Sequence, residues 1–589
     1  MGGLRTGAEP QPITRPAGRP TSAESAGRRN RPDTRRRRTS IASAYLLAGA
    51  VLFVVYLRLS QTYQADSDSA NILLMARDLL HGNLLLHGWF VSDVSFYPTE
   101  LPQYALLESF LGAHFATAHV AAAMTYTLVV LLAVILARSG SSGRVAWIRT
   151  LIAVGILLAP QFGAGVFALD LSVGHIGTSI PLMLTWLVLD RKRPGWRVPV
   201  ITAVLLAWVL VADPIVYIVG VGPLGVVAAI RVIRDWRNAA AGWRRGWRRR
   251  LAAARYDLSL GAASLAAVLI AWIVNNVLSA LGGFTVNRLP FYFSAWSDLK
   301  HNVQAFWKIL VVYGANPDGA GGMWLALAIL HLVSVVLVVW AAARVFRRFF
   351  QASLVDQVLA VAIVLNIVLY GFTNAASEAA HEVAVIAPFG AVLAARVLVG
   401  VGGPAIVGRR VKARRVTGPR AAVHRIIRRR SYGRSRRVRL ATWVAGIAVL
   451  AGYAAGLGYE LVQPSAPPAN TELASFLLAH DLRYGLSGYW TSSSVTVDSD
   501  GKVQIRALAK ATVVRDQWMS NVGWYDPGTH YANFIVLDSG PGFMNRWEPL
   551  ALVTKYFGHP ARVYLTGWYT ILVYDKNLLR DIPPGQADS

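Results

Sequence analysis

The 589-residue chain has no cysteine. Disulfides, thiolate nucleophiles and cysteine-based metal sites are excluded, and any part outside a membrane must fold on packing alone. Acidic residues are sparse: 31 Asp and Glu stand against 59 Lys and Arg, a formal charge of +28. The arginines fall in blocks between apolar runs, without a nucleic-acid reader motif. Membrane orientation and lipid headgroups account for them, and no nucleic-acid partner is expected. A cleavable signal pattern is missing, because about forty polar residues precede the first apolar run. Met1–Ser40 reads as a disordered basic tail, its cluster RRNRPDTRRRR abutting that run.

What the chain has in quantity is apolar side chains, 54% of residues, with a mean hydropathy of +0.42. That is too apolar for a soluble enzyme of this size unless much of it faces lipid. Apolar runs recur near 42–59, 117–137, 146–160, 176–189, 198–212, 214–230, 258–280, 322–343, 355–373, 382–400 and 440–460, about eleven spans. With the N-terminus cytoplasmic, the basic loops RSGSSGRVAWIR, DRKRPGWR, RVIRDWRNAAAGWRRGWRRR, RVFRRF and the stretch 401–439 all fall on the cytoplasmic face. The fold class expected is mostly α: a polytopic transmembrane helical bundle over 41–460 in the cytoplasmic membrane. An external loop 61–117, a linker 461–470 and a small external α/β domain over 471–589 complete it.

Asp-Ser-Asp occurs twice. The second copy, Asp498–Ser499–Asp500 followed by Gly501, lies between SSVTV and KVQIRAL, both read as strands, and is expected to turn a hairpin. A calcium loop lacks its further oxygen ligands there. In the same domain a helix near 471–484, the strands NFIVLD, ARVYLTG and YTILVYD, and a helix at WEPLALVTKYFG are expected. Tyr489 and Trp490 are assigned to its core or to an acceptor chain.

The first copy, Asp66–Ser67–Asp68, stands just past the first span and opens a helix with apolar Ile72, Leu73, Ala76, Leu79 and Leu80 before the stop HGN. Capping and dipole complementation by Asp66, Ser67 and Asp68 are one explanation of acids at that point. The loop as a whole adds Asp78, Asp93, Glu100 and Glu108 against one strong cation, Arg77, with Trp89, Phe90, Phe96, Tyr97 and Tyr104 interleaved. Carboxylates accept hydroxyl hydrogen bonds and aromatic faces cover a pyranose, so the loop suits a sugar site beside a membrane-borne partner.

A first span followed at once by an acidic pair, a long first loop with a helix, about eleven spans and a C-terminal external domain resembles the GT-C-type integral membrane glycosyltransferases. The stretches ADSDSANILLMARDLLHGNLLLHGW, DVSFYPTELPQY and HEVAVIAPFGAVLAAR are similar to those of actinobacterial membrane proteins of this type. The resemblance implies transfer of a sugar, with inversion, from a polyprenyl-phosphate donor to an envelope glycan, lipid or protein acceptor outside the membrane. Many relatives carry adjacent Asp-Glu where this chain has Asp-Ser-Asp, which leaves open which aspartate is catalytic. A carboxylate must take the proton of the acceptor hydroxyl. Asp66, nearer the membrane plane, is the first choice and Asp68 the second. Some relatives use a divalent metal; the external histidines His114, His119, His175 and His381 show no metal-ligand spacing, and no cofactor is assigned.

The departing phosphate needs positive charge. Arg288, Lys300 and His301, in the loop after the seventh span, are the candidates by elimination, with interfacial anchoring as the alternative. Asp93 and Glu100 are assigned to substrate, as are Glu378 and His381 in SEAAHEVAV, which with Glu382 either line the same external cavity or are solvated. Asp213 before Pro214 reads as a helix cap, with a site role as the alternative. A lipid or solute transporter would need ionisable residues deep in several spans or an internal repeat, and neither is evident. A non-catalytic envelope scaffold would make the acidic loop dispensable.

Overall fold

A computed structural model describes residues 34–158, 164–171, 174–240, 247–288, 290–316, 322–377, 380–400, 443–509, 512–540, 546–547 and 549–583. Most of the basic tail, the basic loop 401–439 and Glu378 lie outside the described residues. The first helix, Thr34–Ser60, begins inside the stretch read as tail, because arginine is a good helix former and nothing between Arg35 and Ala42 interrupts the turn.

Among the described residues, eight helices are long and apolar enough to cross a membrane: Ala42–Ser60, Phe115–Arg138, Tyr217–Asn238, Leu251–Ala280, Trp324–Arg347, Leu354–Phe372, Ala380–Val399 and Trp443–Leu461. They make the chain a multi-pass membrane protein. The other three apolar runs are helical but shorter, at Gly143–Leu157, Ser179–Arg191 and Arg197–Ala212. At about 1.5 Å per residue the last of these is about 24 Å long, short of a ~30 Å hydrocarbon core. The shortening coincides with π-helical turns at Phe167–Leu171 and Tyr217–Val221 and with non-helical backbone around residues 174–178 and 213–214. Such irregular backbone at membrane depth is tolerated where it is buried in protein or lines a cavity.

The first loop carries two helices, Ser67–Leu80 and Glu100–Leu111, and strand β1 (Trp89–Val91) between them. Strand β1 pairs in parallel with β2 (Thr285–Val286) after the long Trp247–Ala280 helix. On its other side it pairs antiparallel with β5 (Ser520–Asn521) from the C-terminal region. The first loop, the 281–298 segment and the C-terminal region are thus hydrogen-bonded together at one end of the bundle. Apolar packing reinforces the seam, since Val497 and Met519 join Ile72, Leu73, Met75, Trp89 and Tyr104 in one buried cluster. Each such side chain contributes roughly 1.5–3 kcal/mol when fully buried.

The C-terminal region is α/β. Its five-stranded sheet runs β4 (Gln504–Leu508), β3 (Tyr484–Gly488), β6 (Phe534–Asp538), β8 (Tyr569–Val573), β7 (Arg562–Thr566), with the first three parallel and the last two antiparallel. Alternate residues face opposite cores: Ile535 and Leu537 one way, Phe534 and Val536 the other. The expected strands β4, β6, β7 and β8 and the Leu550–Phe557 helix form, whereas the helix near 471–484 ends at Ala479 and gives way to β3.

SSVTV is a correction. It lies in the helix Tyr489–Asp498, not in a strand. Strands β3 and β4 are parallel, so the chain must cross over between them, and a helix supplies the crossover. Its buried hydroxyls bond back to helix carbonyls, Ser494 Oγ to Trp490 O at 3.0 Å and Thr496 Oγ1 to Ser492 O at 3.1 Å. The second Asp-Ser-Asp therefore turns a helix into a strand and is not a hairpin. Positive φ at Asp500 (57°) and Gly501 (73°) closes it through Gly501 N to Thr496 O at 2.8 Å.

Candidate active site

Asp66 is the N-cap of the Ser67–Leu80 helix. Its Oδ1 accepts from the Asp68 amide at 3.1 Å and the Ser69 amide at 3.3 Å, so the capping role read from the sequence is real. Asp68, in the first turn, accepts the Tyr489 hydroxyl at 2.5 Å on Oδ1. Burial raises both carboxyls above the usual range. Asp66 is pushed further by the charge of Asp68, while the Tyr489 hydrogen bond and the charge of His381 hold Asp68 down.

Behind this pair stands a second group drawn from three parts of the chain. His175 donates from Nδ1 toward Asp213 Oδ2 at 2.8 Å and from Nε2 toward Glu382 Oε2 at 3.1 Å. Burial disfavours the imidazolium, but Asp213 and Glu382 outweigh it and hold His175 well above its ordinary value. Thr178 Oγ1 donates to Asp213 Oδ2 at 2.5 Å, and Asp213 Oδ1 caps the next turn through the Ile215 amide at 2.9 Å. His381 Nε2 lies 3.5 Å from Glu382 Oε1, and its ring centroid is 6.1 Å from that of His175. His381 thus links the two groups, since its charge also reaches Asp68.

Asp93 and Glu100 border the same cluster. Burial raises Asp93 to about 6, His175 lowering it and Glu382 and Asp213 raising it further. Burial raises Glu100 to about 7, against a hydrogen bond from Thr99 and with Asp213 adding to the rise. Glu100 Oε1 is buried with no hydrogen-bond partner among the described residues. Gly177 gives it room, since a Cβ there would sit 1.9 Å from that oxygen.

The cations are placed less closely. Arg288 is exposed and follows Asn287, whose amide donates to Val91 O at 3.2 Å, so its backbone runs beside the strand that leads to Asp93. Lys300 is exposed on the Leu299–Val312 helix, which also carries His301. Among the described residues no ion pair joins Arg288 or Lys300 to the carboxylates. No group of three or more His, Asp or Glu side chains among them converges closely enough to hold a metal ion.

Of the residues singled out in the sequence, Asp66, Asp68, Asp93, Glu100 and His381 lie near one another. His175, read as one of several histidines without ligand spacing, turns out to be the hub. Asp213 both caps and binds it, Glu382 faces it rather than solvent, and Tyr489 reaches Asp68 rather than serving only a core. The available signal was the interruption of apolar runs by FALDLSVGH and VADP, since ionisable residues at membrane depth mark function by default.

No protein-family model and no curated protein sequence matches the chain. Among solved structures, the fold is similar to ArnT from Cupriavidus metallidurans bound to undecaprenyl phosphate, with 13% identity, 91% of this chain and 98% of that one covered, and a TM-score of 0.48. The apo form of that protein gives 14% identity, 90% and 98% coverage and a TM-score of 0.49. The archaeal oligosaccharyltransferase AglB from Archaeoglobus fulgidus, in complex with an inhibitory peptide and a dolichol-phosphate, gives 11% identity, 84% and 69% coverage and a TM-score of 0.41.

Proposed function

We propose that the chain transfers a sugar from a polyprenyl-phosphate donor to an acceptor hydroxyl on the outer side of the cytoplasmic membrane. The observation that carries this reading is the buried Asp66–Asp68 pair, raised in pKa and held by Tyr489, at the head of a loop helix beside membrane-spanning helices. A carboxyl raised above its ordinary pKa is better matched to taking a hydroxyl proton at physiological pH.

Asp66 Oδ1 takes two backbone amides as a helix cap, and Asp68 Oδ1 takes the Tyr489 hydroxyl, which fixes its orientation; each carboxylate keeps its Oδ2 outside any hydrogen bond among the described residues. The capping duty of Asp66 and the Tyr489 contact support Asp68 as the base. Asp68 takes the acceptor proton as the hydroxyl oxygen bonds to the anomeric carbon, the bond from that carbon to the phosphate oxygen breaks, and the polyprenyl phosphate leaves with the electron pair. Attack opposite the leaving group inverts the anomeric centre. Asp93 and Glu100 accept sugar hydroxyls, and His175, held protonated by Asp213 and Glu382, keeps that carboxylate-rich wall together. Arg288 and Lys300 steady the departing phosphate from the 281–300 segment.

The test is incorporation of labelled sugar from a panel of polyprenyl-phosphate donors into envelope material by membranes carrying wild-type, Asp68→Asn or Asp66→Asn protein at matched expression. Transfer falling about 10²–10⁴-fold in Asp68→Asn is expected for loss of a general base. Wild-type transfer that persists in both variants would leave capping as the whole role of the motif and favour a scaffold.

A further inference from the structure

The C-terminal region contains a cleft of about 570 Å³ whose lining has a different chemistry from the carboxylate cluster. Strand β4 contributes Arg506 to it, the 527–531 turn contributes His530 and Tyr531, and the chain end contributes Arg580. Arg506 is partly buried and lies over the Trp524 ring at 4.6 Å. One of its five donors goes to Gln504 Oε1 at 2.7 Å, and among the described residues no carboxylate forms an ion pair with it. Burial lowers its guanidinium to about 10, so it stays charged at neutral pH. Aromatic stacking occupies a face of the group and leaves in-plane N–H donors for a carboxylate or phosphate.

Nearby acids do not neutralise the cleft. Asp526 is consumed in its own turn, accepting the Gly528 amide and the Thr529 hydroxyl at 2.9 Å each. Asp581 pairs with Lys576 at 2.7 Å. Asp78, whose charge Arg506 feels, accepts Trp89 Nε1 at 2.7 Å. The turn itself is held by Asn577, which donates to His530 O at 2.9 Å. Tyr484 and Tyr531 are 44% and 46% exposed, two rings left available at the rim. Exposed tyrosines beside a polar cleft are suited to a sugar face, and the arginines to its charge.

We propose that this cleft binds an anionic saccharide, with its carboxylate or phosphate on Arg506 and Arg580 and its ring faces on Tyr484 and Tyr531. The site needs no donor and no transfer, so it stands or falls apart from the glycosyltransferase reading. The full chain in lipid nanodiscs, titrated calorimetrically at low salt with trigalacturonate, mannose 6-phosphate, neutral maltotriose and inorganic phosphate, tests it. Saturable binding of trigalacturonate or mannose 6-phosphate identifies which anion is read, and maltotriose and inorganic phosphate should bind at least tenfold more weakly. Arg506→Gln should weaken the anionic saccharide at least tenfold; Arg580→Gln, at an exposed position that does not hold the fold, should do so as well. No saturable binding of either anionic saccharide, maltotriose or inorganic phosphate binding as tightly as they do, or unchanged affinity in Arg580→Gln overturns the proposal.

Discussion

At one end of the bundle Arg396 gathers Asp190 at 2.8 Å and Asp356 at 2.5 Å, and all three side chains are mostly buried. At the other end Asp66, Asp68, Asp93, Glu100, Asp213 and Glu382 lie round His175 and His381, without an arginine or lysine ion pair among the described residues. The same helices supply both ends: Ser179–Arg191 starts beside His175 and ends with Asp190, and Ala380–Val399 carries Glu382 near its start and Arg396 near its end. A carboxylate matched to a fixed guanidinium holds helices in place. A carboxylate left with other carboxylates and a histidine is costly to ionise, and such groups cluster where chemistry is done.

Removing charge should therefore act in opposite senses at the two ends. Arg396→Gln leaves two buried carboxylates unpaired and is expected to cost about 3–5 kcal/mol of stability, measured by urea or thermal unfolding in detergent. Glu100→Gln should stabilise instead, but only at high pH. Burial raises Glu100 to about 7 from an ordinary 4.5, so its contribution to stability is present below the ordinary value and lost as pH rises through about 7. That gap corresponds to on the order of 3 kcal/mol. The variant should melt above wild type at pH 8 and level with it at pH 4.5; equal melting at both would place Glu100 in water. Tyr489→Phe removes the donor that lowers Asp68, so the acid limb of transfer should move to higher pH, with the loss largest on the acid side and recovered as pH rises. A uniform loss at all pH values would make Tyr489 a packing residue only.

Much of this contrast was legible along the chain. The arginine blocks and the apolar runs, every one of them helical, follow from composition and period, and the cap at Asp66 follows from an acid placed before an apolar helix pattern. What escaped were pairings fixed by tertiary structure alone. Tyr489 reaches Asp68 across 421 residues, and His175 reaches Glu382 across 207. Neither contact leaves a local period or spacing. SSVTV misled for a related reason, since a short β-branched run fits a strand or a helix until the parallel pairing of its neighbours decides.

The smallest effect separates cap from charge at Asp66 itself. Asparagine caps a helix as well as aspartate does, whereas alanine forfeits the side-chain acceptor and costs roughly 0.5–2 kcal/mol. Asp66→Asn should therefore keep the melting temperature of wild type or exceed it at high pH, where a buried charge has been removed, and Asp66→Ala should fall below it. If Asp66 only caps, transfer in Asp66→Asn stays within a few fold of wild type, and the chemistry rests on Asp68. If transfer collapses in Asp66→Asn while its melting is unchanged, the charge of Asp66 is used in the reaction, and the first aspartate of the motif regains the role that its nearness to the membrane suggests.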